Sequence, residues 1–269
     1  MGIVRVDGVK RIPPSGAESP MTRSRLIIAA VAVVAAVAIG GFILYDQVLR
    51  GDSAAALALP PAPTAPAAST SASSDPAASP AASTTSDGAV AGTWTVAADS
   101  VAGYRVREQL ANLPAESDAV GRTDQVTGSI AVEASGTTTT LTAASLSVDM
   151  TSLASDKSMR DNRLRREGLE TDTFPTATFA LTAPVEVPAA ALTGTASDIT
   201  LTGDLTVHSV TKSVQIPAQA QLVNGTIQVA GSLTFPLSDY AIVAPNIGGL
   251  IVSIAEDGTL EFLVNFTKS

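Results

Sequence analysis

The C-terminal part of the chain alternates between apolar and polar residues, and this period of two predicts β-strands rather than helices. From Ile199 to His208, every apolar residue or glycine is followed by a polar residue. The alternation continues over 214–222 and again over 227–235, with Asn224-Gly225 between the two runs. Asn-Gly between two alternating runs is a strong hairpin signal. The pattern therefore predicts an antiparallel β-protein.

Other segments extend this pattern to about eight or nine strands. Candidate strands cover 93–97, 102–109, 125–134, 137–149 and 175–183, and a last strand at 260–267 follows a turn predicted at Glu256-Asp257-Gly258. Strands with one apolar face each predict a closed barrel or a sandwich. Residues 152–170 are rich in charge and lack the alternation, so they predict a short helix with surrounding loop.

Composition excludes several classes of chemistry. The chain of 269 residues has no Cys and one His, so Cys-ligated zinc, a disulfide framework, a thiol nucleophile and a multi-histidine metal site are excluded. Its formal net charge of −9 argues against binding to nucleic acid, because such domains concentrate Lys and Arg on one face. We expect no metal ion and no cofactor.

The N-terminal region predicts a membrane anchor. Residues 1–25 form a basic leader, and 26–45 are twenty residues without a charge, long enough to cross a bilayer core of about 30 Å as a helix. The alternative is a cleaved signal peptide, with Ala56-Leu57-Ala58 resembling a cleavage site, but the apolar run exceeds the roughly 7 to 15 residues of such signals. Basic residues before the helix place the N-terminus in the cytoplasm and the rest outside.

Residues 46–91 predict a disordered tether between the anchor and the folded domain. They consist mostly of Ala, Pro, Ser and Thr, with no aromatic residue to nucleate a core. The folded domain is predicted at 92–269, a length sufficient for one sizeable core.

Few residues of this domain are candidates for chemistry. His208 beside Ser209 could act as a general base, but no nucleophile motif accompanies it, so a turn or surface role is favoured. The ten positions from Lys157 to Arg166 hold five Lys or Arg residues, and three carboxylates, Asp156, Asp161 and Glu167, lie among or beside them. The simpler interpretation is a solvated helix, and the alternative is an anion site for a phosphate or diphosphate head group.

An ordered set of motifs resembles the YceI-like domain family. The set covers essentially all of 92–269, and its elements are Trp94-Thr95-Val96 with Ser100, Tyr104-Arg105-Val106, Met159-Arg160-Asp161-Asn162-Arg163-Leu164, Phe174-Pro175-Thr176-Ala177-Thr178-Phe179 and 203–212 (GDLTVHSVTK). Each element is weak alone, whereas the order of the set is specific. In the family pattern His often stands where this chain has Arg163, and most members are secreted behind a cleaved signal.

The resemblance implies a lipocalin-like antiparallel β-barrel with a short helix beside its mouth, which holds a polyisoprenoid chain in an apolar tunnel and is not an enzyme. Apolar burial then supplies most of the affinity, which predicts low selectivity for the head group. The residues that match family motifs on inner faces are the expected lipid-binding residues: Tyr104, Val106, Phe174, Phe179, Leu205 and Val207. Arg160 and Arg163 are the candidate anion site.

The sequence thus predicts a single-pass membrane protein whose extracytoplasmic barrel binds an isoprenoid lipid or quinone for sequestration or transport. The alternative is a structural or adhesive β-domain with a filled core and no ligand. A hydrolase that uses His208 is a third hypothesis. Because an eight-stranded barrel is either filled by side chains or just wide enough for one small ligand, cavity volume separates the first two.

Overall fold

The computed structural model of the protein describes residues 53–61, 90–110, 116–244 and 251–269, without the side chains of residues 110, 251 and 252. Twelve strands dominate these residues, and their bounds are β1 Gly92–Val96, β2 Val101–Leu110, β3 Ser117–Thr123, β4 Val126–Ser135, β5 Thr138–Asp149, β6 Ala154–Ser155, β7 Thr176–Leu181, β8 Val185–Val187, β9 Ser197–Val207, β10 Val210–Val223, β11 Thr226–Pro236 and β12 Ile251–Lys268. The sequence predicted nine of them and missed the short strands β3, β6 and β8.

Eight of the strands close into a barrel. The hydrogen-bonded order runs β1-β4-β5-β7-β9-β10-β11-β12, and β1 also pairs with β12, so the ring has no open edge. All of these pairings are antiparallel. The long strand β12 pairs with β2 over its first two thirds, and β3 and β6 continue the sheet from there. The predicted all-β barrel of about eight strands is confirmed.

Short helical segments lie between the strands. Helix α1 spans Ser158–Arg163 and continues into a π-helical turn at Leu164–Gly168, within the charge-rich segment for which a short helix was predicted. Helix α2 spans Ala189–Leu192, and 3-10 turns occupy Met150–Ser152 and Leu237–Tyr240.

Two hairpins of the barrel use two-residue turns with left-handed backbone. Asn224 and Gly225 join β10 to β11 with φ of 52° and 76°, as predicted for an Asn-Gly hairpin. His208 and Ser209 join β9 to β10 with φ of 51° and 61°, which places the only His of the chain in a turn.

The turn predicted at Glu256-Asp257-Gly258 is wrong. Strand β12 runs through these residues, and Asp257 and Gly258 pair with Pro236 and Phe235 of β11. The pairing of β12 with β2 instead shifts register between Ile254 and Gly258, which marks a bulge. Acidic residues and glycine favour bulges as well as turns, so the local sequence does not separate the two.

The core lies inside the barrel, where the alternating residues meet. Along β12, Phe262, Val264 and Phe266 are at most 8% exposed and face the same interior. The other large buried residues of this interior are Trp94, Ile130, Leu141, Phe179, Leu201, Leu205 and Ile216. Burial of each such side chain contributes roughly 1.5–3 kcal/mol to folding.

The predicted basic leader (1–25) and membrane helix (26–45) lie outside the described residues. Among the residues that the structure does describe, no helix is both long enough and apolar enough to span a bilayer. Residues 53–61, inside the predicted linker, have no regular secondary structure and form hydrogen bonds to the strands. The prediction of a disordered linker at 46–91 is therefore revised for these nine residues.

Candidate functional site

One end of the barrel contains an apolar cavity of about 130 Å³. A single buried water needs roughly 10–15 Å³, so this space is about tenfold larger. The strands contribute mainly aliphatic side chains, and α1 with the turns at 150–153 and 237–242 covers the end. The residues that line the cavity include Ala102, Tyr104, Val106, Glu108, Ala119, Val148, Met150, Leu153, Arg160, Leu164, Leu169, Ala177, Val207, Phe235, Leu237, Ile242, Ile254 and Leu260.

A second, smaller apolar cavity of about 40 Å³ lies near α2, among residues such as Val90, Leu141 and Ile227. Between the residues that line the two cavities, the interior is filled. The Phe179 ring lies so close to Gly203 that a Cβ on residue 203 would come 2.5 Å from its Cζ atom. The barrel is therefore hollow in part, with its larger space beneath α1.

A buried ion pair connects β2 to α1 at the main cavity. Glu108 and Arg160 both line the cavity, their side chains are only 3% and 11% exposed, and Arg160 Nη2 donates to Glu108 Oε1. Arg160 also pairs with Asp156. Burial lowers the pKa of the guanidinium, but the charges of Glu108 and Asp156 outweigh this effect and raise it. Arg160 is thus already neutralised by two carboxylates.

Three residues with buried, unpartnered polar atoms line a small cavity beside the main one. Tyr104 Oη, Arg165 Nε and Thr171 Oγ1 have no hydrogen-bond partner in the described protein, and their residues line a cavity of about 10 Å³. Tyr104 also lines the main cavity. Burial raises the pKa of the Tyr104 phenol, so it remains a neutral hydrogen-bond donor. Arg165 Nε can only donate, so this arrangement suits one acceptor oxygen, either of a water or of a ligand.

His208 ties together three segments at the same end of the barrel. Its Nε2 lies 3.0 Å from Glu170 Oε2, its Nδ1 lies 3.2 Å from the Tyr240 carbonyl oxygen, and its ring meets Phe174 edge to face at 4.2 Å between centroids. Val207, Leu169 and Leu237, which adjoin these segments, line the main cavity. These contacts give His208 a role in holding the cavity walls together.

The predicted lipid-binding residues lie in three different parts of the structure. Tyr104, Val106 and Val207 line the main cavity. Phe179 and Leu205 lie in the packed interior and are absent from the linings of both cavities, and Phe174 packs on His208.

The two arginines of the candidate anion site are also separated. Arg160 lines the cavity, paired as described. Arg163 is absent from the cavity lining, and its side chain is 38% exposed and pairs with Glu167 at 3.2 Å. Within the described residues, no three His, Asp or Glu side chains form a group able to hold a metal ion.

Sequence reasoning missed Glu108 and Thr171, and it noted Arg165 only as one of the basic residues of 157–166. The sequence does contain a signal for Glu108, because this residue continues the inward-facing series Ala102, Tyr104 and Val106 at a spacing of two. A charged side chain at an inward-facing position indicates a buried partner. Arg165 and Thr171 reach the small cavity from the π-helical turn and the loop after it, which no periodicity predicts.

Comparison with known proteins gives one family match and several structural neighbours. Residues 94–266 match the model of the YceI-like domain. A polyisoprenoid-binding domain from Saccharophagus degradans implicated in plant cell wall breakdown superposes with a TM-score of 0.50 at 19% identity, covering 66% of this chain and 98% of that one. At this identity the likeness shows the fold alone.

Two further solved structures match less closely. Burkholderia cenocepacia BcnA has a TM-score of 0.47 at 19% identity, covering 63% of this chain and 99% of its own. The Campylobacter jejuni YCEI protein has a TM-score of 0.37 at 17% identity, covering 48% and 74%. No curated protein matches the sequence.

Proposed function

Since the chain belongs to the YceI-like domain family, we propose that its barrel binds an isoprenoid lipid, a polyprenyl chain or an isoprenoid quinone, in the cavity beneath α1. The observation that carries this proposal is the apolar space of about 130 Å³ among inward-facing aliphatic side chains. Solved relatives of the same fold include one described as polyisoprenoid-binding, which supports the same class of ligand.

The size of the cavity sets a condition on the mode of binding. Ligand pockets commonly span about 300–1,000 Å³, so a long chain requires the walls formed by α1 and the turn at 237–242 to move outward. The segment around α1 is joined to the barrel by the Arg160–Glu108 ion pair, the Glu170–His208 contact and apolar packing of Leu169, whereas the strands are held by continuous backbone ladders. Opening at this end therefore leaves the barrel intact.

The head group that fits best is neutral. Arg160 is already paired with two carboxylates, and the unpartnered donors beside the cavity suit a carbonyl or hydroxyl oxygen. A quinone carbonyl or a polyprenol hydroxyl has this chemistry, whereas a diphosphate requires uncompensated positive charge.

The location proposed with this function is the extracytoplasmic face of the cell membrane. The uncharged run at 26–45 and the basic residues before it support a single-pass anchor with its N-terminus in the cytoplasm. The barrel would then take up its lipid from the adjoining bilayer, for sequestration or transport, without a catalytic role for His208.

Photo-crosslinking tests this function in the full chain. Membranes that contain the protein are incubated with a diazirine-bearing isoprenoid, irradiated and digested, and the labelled peptides are mapped by mass spectrometry. The proposal predicts labels on cavity residues such as Val106, Leu164 and Val207. Labels confined to 26–45 would overturn it, because they would report only probe dissolved in the bilayer.

A matched pair of variants on β7 provides the control. Ala177→Phe fills the main cavity, whereas Ala180→Phe places the same ring on the exposed face of the same strand. Cavity labelling should be lost in the first variant and retained in the second. Equal labelling of both, with both variants folded by circular dichroism, would favour a filled structural barrel.

A further inference from the structure

Residues 53–61, here named the strap, cross the outside of the barrel. At one end Ser53 Oγ donates to the carbonyl oxygen of Asp118 in β3 at 3.0 Å and accepts from the Asp118 amide at 3.1 Å. At the other end Gln221 Nε2 of β10 donates to the Pro60 carbonyl oxygen at 3.1 Å. Strands β2, β12 and β11 lie between β3 and β10 in the sheet, so the strap spans five strands.

A charged cluster on the outer face holds the middle of the strap. Glu261 alternates with Leu260 and Phe262, which pack in the core, so its side chain points away from the interior. It is nevertheless only 3% exposed, and it pairs with Arg122 at 2.7 Å and with Arg105 at 3.5 Å. Such burial of a carboxylate on an outer face requires both paired charges and a cover.

The strap supplies that cover and receives hydrogen bonds from the same cluster. Arg105 Nη2 donates to the Ala54 carbonyl oxygen at 2.6 Å, and Arg122 Nη2 donates to the Ala55 carbonyl oxygen. Each guanidinium therefore joins Glu261 to the strap backbone. Because these donors bind main-chain oxygens, they fix the path of the segment without reading its side chains.

The side chains of the strap alternate in burial. Leu57 and Leu59 are half-buried, whereas Ala56 and Ala58 are exposed. Leu57 and Ala58 line a surface groove formed with β9, β10 and β11, near Ile199 and Gly231. The strap thus has an apolar face against the barrel and a solvent face, as an added edge segment does.

We propose that the docked strap shortens the membrane tether, so that the barrel is held at the bilayer surface rather than at the end of a long linker. This inference rests on the proposed anchor at 26–45. With the strap docked, residues 46–52 alone connect the anchor to the barrel, a reach of at most about 25 Å. Without docking the connection is 46–91, with a maximum reach of about 150 Å and an average end-to-end distance of about 35 Å or more.

A short tether gives the cavity a consistent position relative to its lipid source. Linkers act by setting the effective concentration of the tethered module near its target, and this concentration falls steeply once the linker exceeds the distance to be spanned. A lipid carrier that loads from the membrane benefits from the shorter connection.

The docking is tested in the full chain reconstituted in nanodiscs by pulsed electron spin resonance. The chain has no Cys, so Ala54→Cys and Thr137→Cys, both at exposed positions, accept spin labels at defined sites. We expect a single narrow distance distribution. A broad distribution in this protein would overturn the docking.

Two double variants isolate the contribution of the buried face of the strap. Leu57→Asn with Leu59→Asn removes the half-buried apolar side chains, whereas Ala55→Asn with Ala56→Asn places the same amides at exposed positions that do not line the groove. The distance distribution should broaden in the first and remain narrow in the second. A distance distribution that stays narrow in both variants would show that Leu57 and Leu59 do not hold the strap on the barrel.

Energy transfer from Trp94 to a dansyl-labelled lipid measures the tether length in the same nanodiscs. Trp94 is the only Trp of the chain and lies inside the barrel. The Leu57→Asn, Leu59→Asn variant should lose about half of the transfer seen in the reference and the alanine-site control, because its tether is the long one. If the energy transfer is unchanged although the spin-label distance distribution has broadened, docking of the strap does not shorten the membrane tether.

These measurements separate the failure of the strap from the failure of the proposed function. The spin-label distance depends on neither lipid binding nor anchorage. A chain that elutes apart from nanodiscs would refute the anchor and with it the tether inference, whereas lipid labelling of the cavity would remain interpretable.

Discussion

Glu108 of β2 and Arg160 of α1 form an ion pair at the main cavity, with side chains only 3% and 11% exposed. The pair joins the barrel to the helix that covers its end. Because one partner belongs to a strand and the other to the cover, the contact controls how firmly that end of the barrel is closed.

Removal of the arginine should destabilise the fold strongly. Arg160→Ala leaves Glu108 buried without its partner, which costs about 3–5 kcal/mol in the free energy of unfolding. Lys157→Ala is the matched control, because its ion pair with Asp156 is solvent-exposed and contributes at most about 1 kcal/mol. Urea denaturation measures both. A loss below about 1 kcal/mol in Arg160→Ala would show that Glu108 is not held by this pair.

The polar atoms beside the cavity should recognise an oxygen of the head group. Tyr104→Phe and Thr171→Val each remove one unpartnered hydroxyl, so the affinity for a quinone should fall by roughly fivefold, the equivalent of one hydrogen bond of about 1 kcal/mol. The affinity for a polyprenyl hydrocarbon without oxygen should be unchanged.

Tyr240→Phe provides the control for this prediction. The Tyr240 hydroxyl is also buried without a partner, but the residue lines neither the small nor the main cavity. Its removal should leave the ratio of quinone to hydrocarbon affinity unchanged. If Tyr104→Phe leaves that ratio unchanged as well, the small cavity does not bind the head group.

Alkaline stability should depend on the buried tyrosines. Burial raises the pKa of Tyr104 above its ordinary value of 10.0, and burial together with Asp239 raises that of Tyr240. The fold therefore retains these protons when the unfolded chain has lost them. The free energy of unfolding does not depend on the ionisation of these tyrosines below about pH 10. Above that pH it decreases by up to about 1.4 kcal/mol per pH unit for each tyrosine.

Denaturation of Tyr104→Phe as a function of pH checks this assignment. Above pH 10 the folded and unfolded states of the variant should differ by one bound proton fewer than those of the reference. The stability of the variant should therefore fall less steeply with pH. An identical slope in the variant and the reference would mean that Tyr104 ionises normally in the fold.

The orientation of the protein in the membrane can be tested by labelling single introduced cysteines, because the chain itself has no Cys. A membrane-impermeant maleimide should label Thr137→Cys, at an exposed turn of the barrel, in intact cells. Ser15→Cys in the basic leader should react only after lysis. The reverse pattern would place the barrel in the cytoplasm.

The candidate anion site yields a prediction about ligand charge. Arg163 is 38% exposed, pairs with Glu167 and does not line the main cavity. Arg163→Ala should therefore change the affinity for a phosphorylated isoprenoid by less than about twofold. A selective loss for phosphorylated ligands, measured against a neutral quinone, would support the anion site instead.

The barrel was predictable because its signals are local and repeated. The alternation at 199–208 and the Asn224-Gly225 turn are properties of neighbouring residues, and the structure confirms both β9 and the β10–β11 hairpin. The bulge in β12 escaped prediction because Glu256-Asp257-Gly258 has the same local chemistry as a turn, and pairing with β11 decided between them.

The site was less predictable because its shape depends on contacts between distant segments. The family motifs on inner faces indicated Tyr104, Val106 and Val207, which line the cavity, but they gave no way to distinguish these residues from Leu205, which fills the core. The strap is the clearest case, since an Ala-rich segment is positioned by residues more than fifty positions later in the chain, Arg105 and Arg122 among them.

The measurement that tests the central claim most directly is lipid extraction and mass spectrometry on the full chain purified from membranes, with Ala177→Phe processed in parallel. Our account predicts one isoprenoid per protein chain, retained through purification and lost in the cavity-filled variant. A protein that carries no isoprenoid and takes up neither added polyprenyl chains nor quinones would contradict the account and leave a structural barrel.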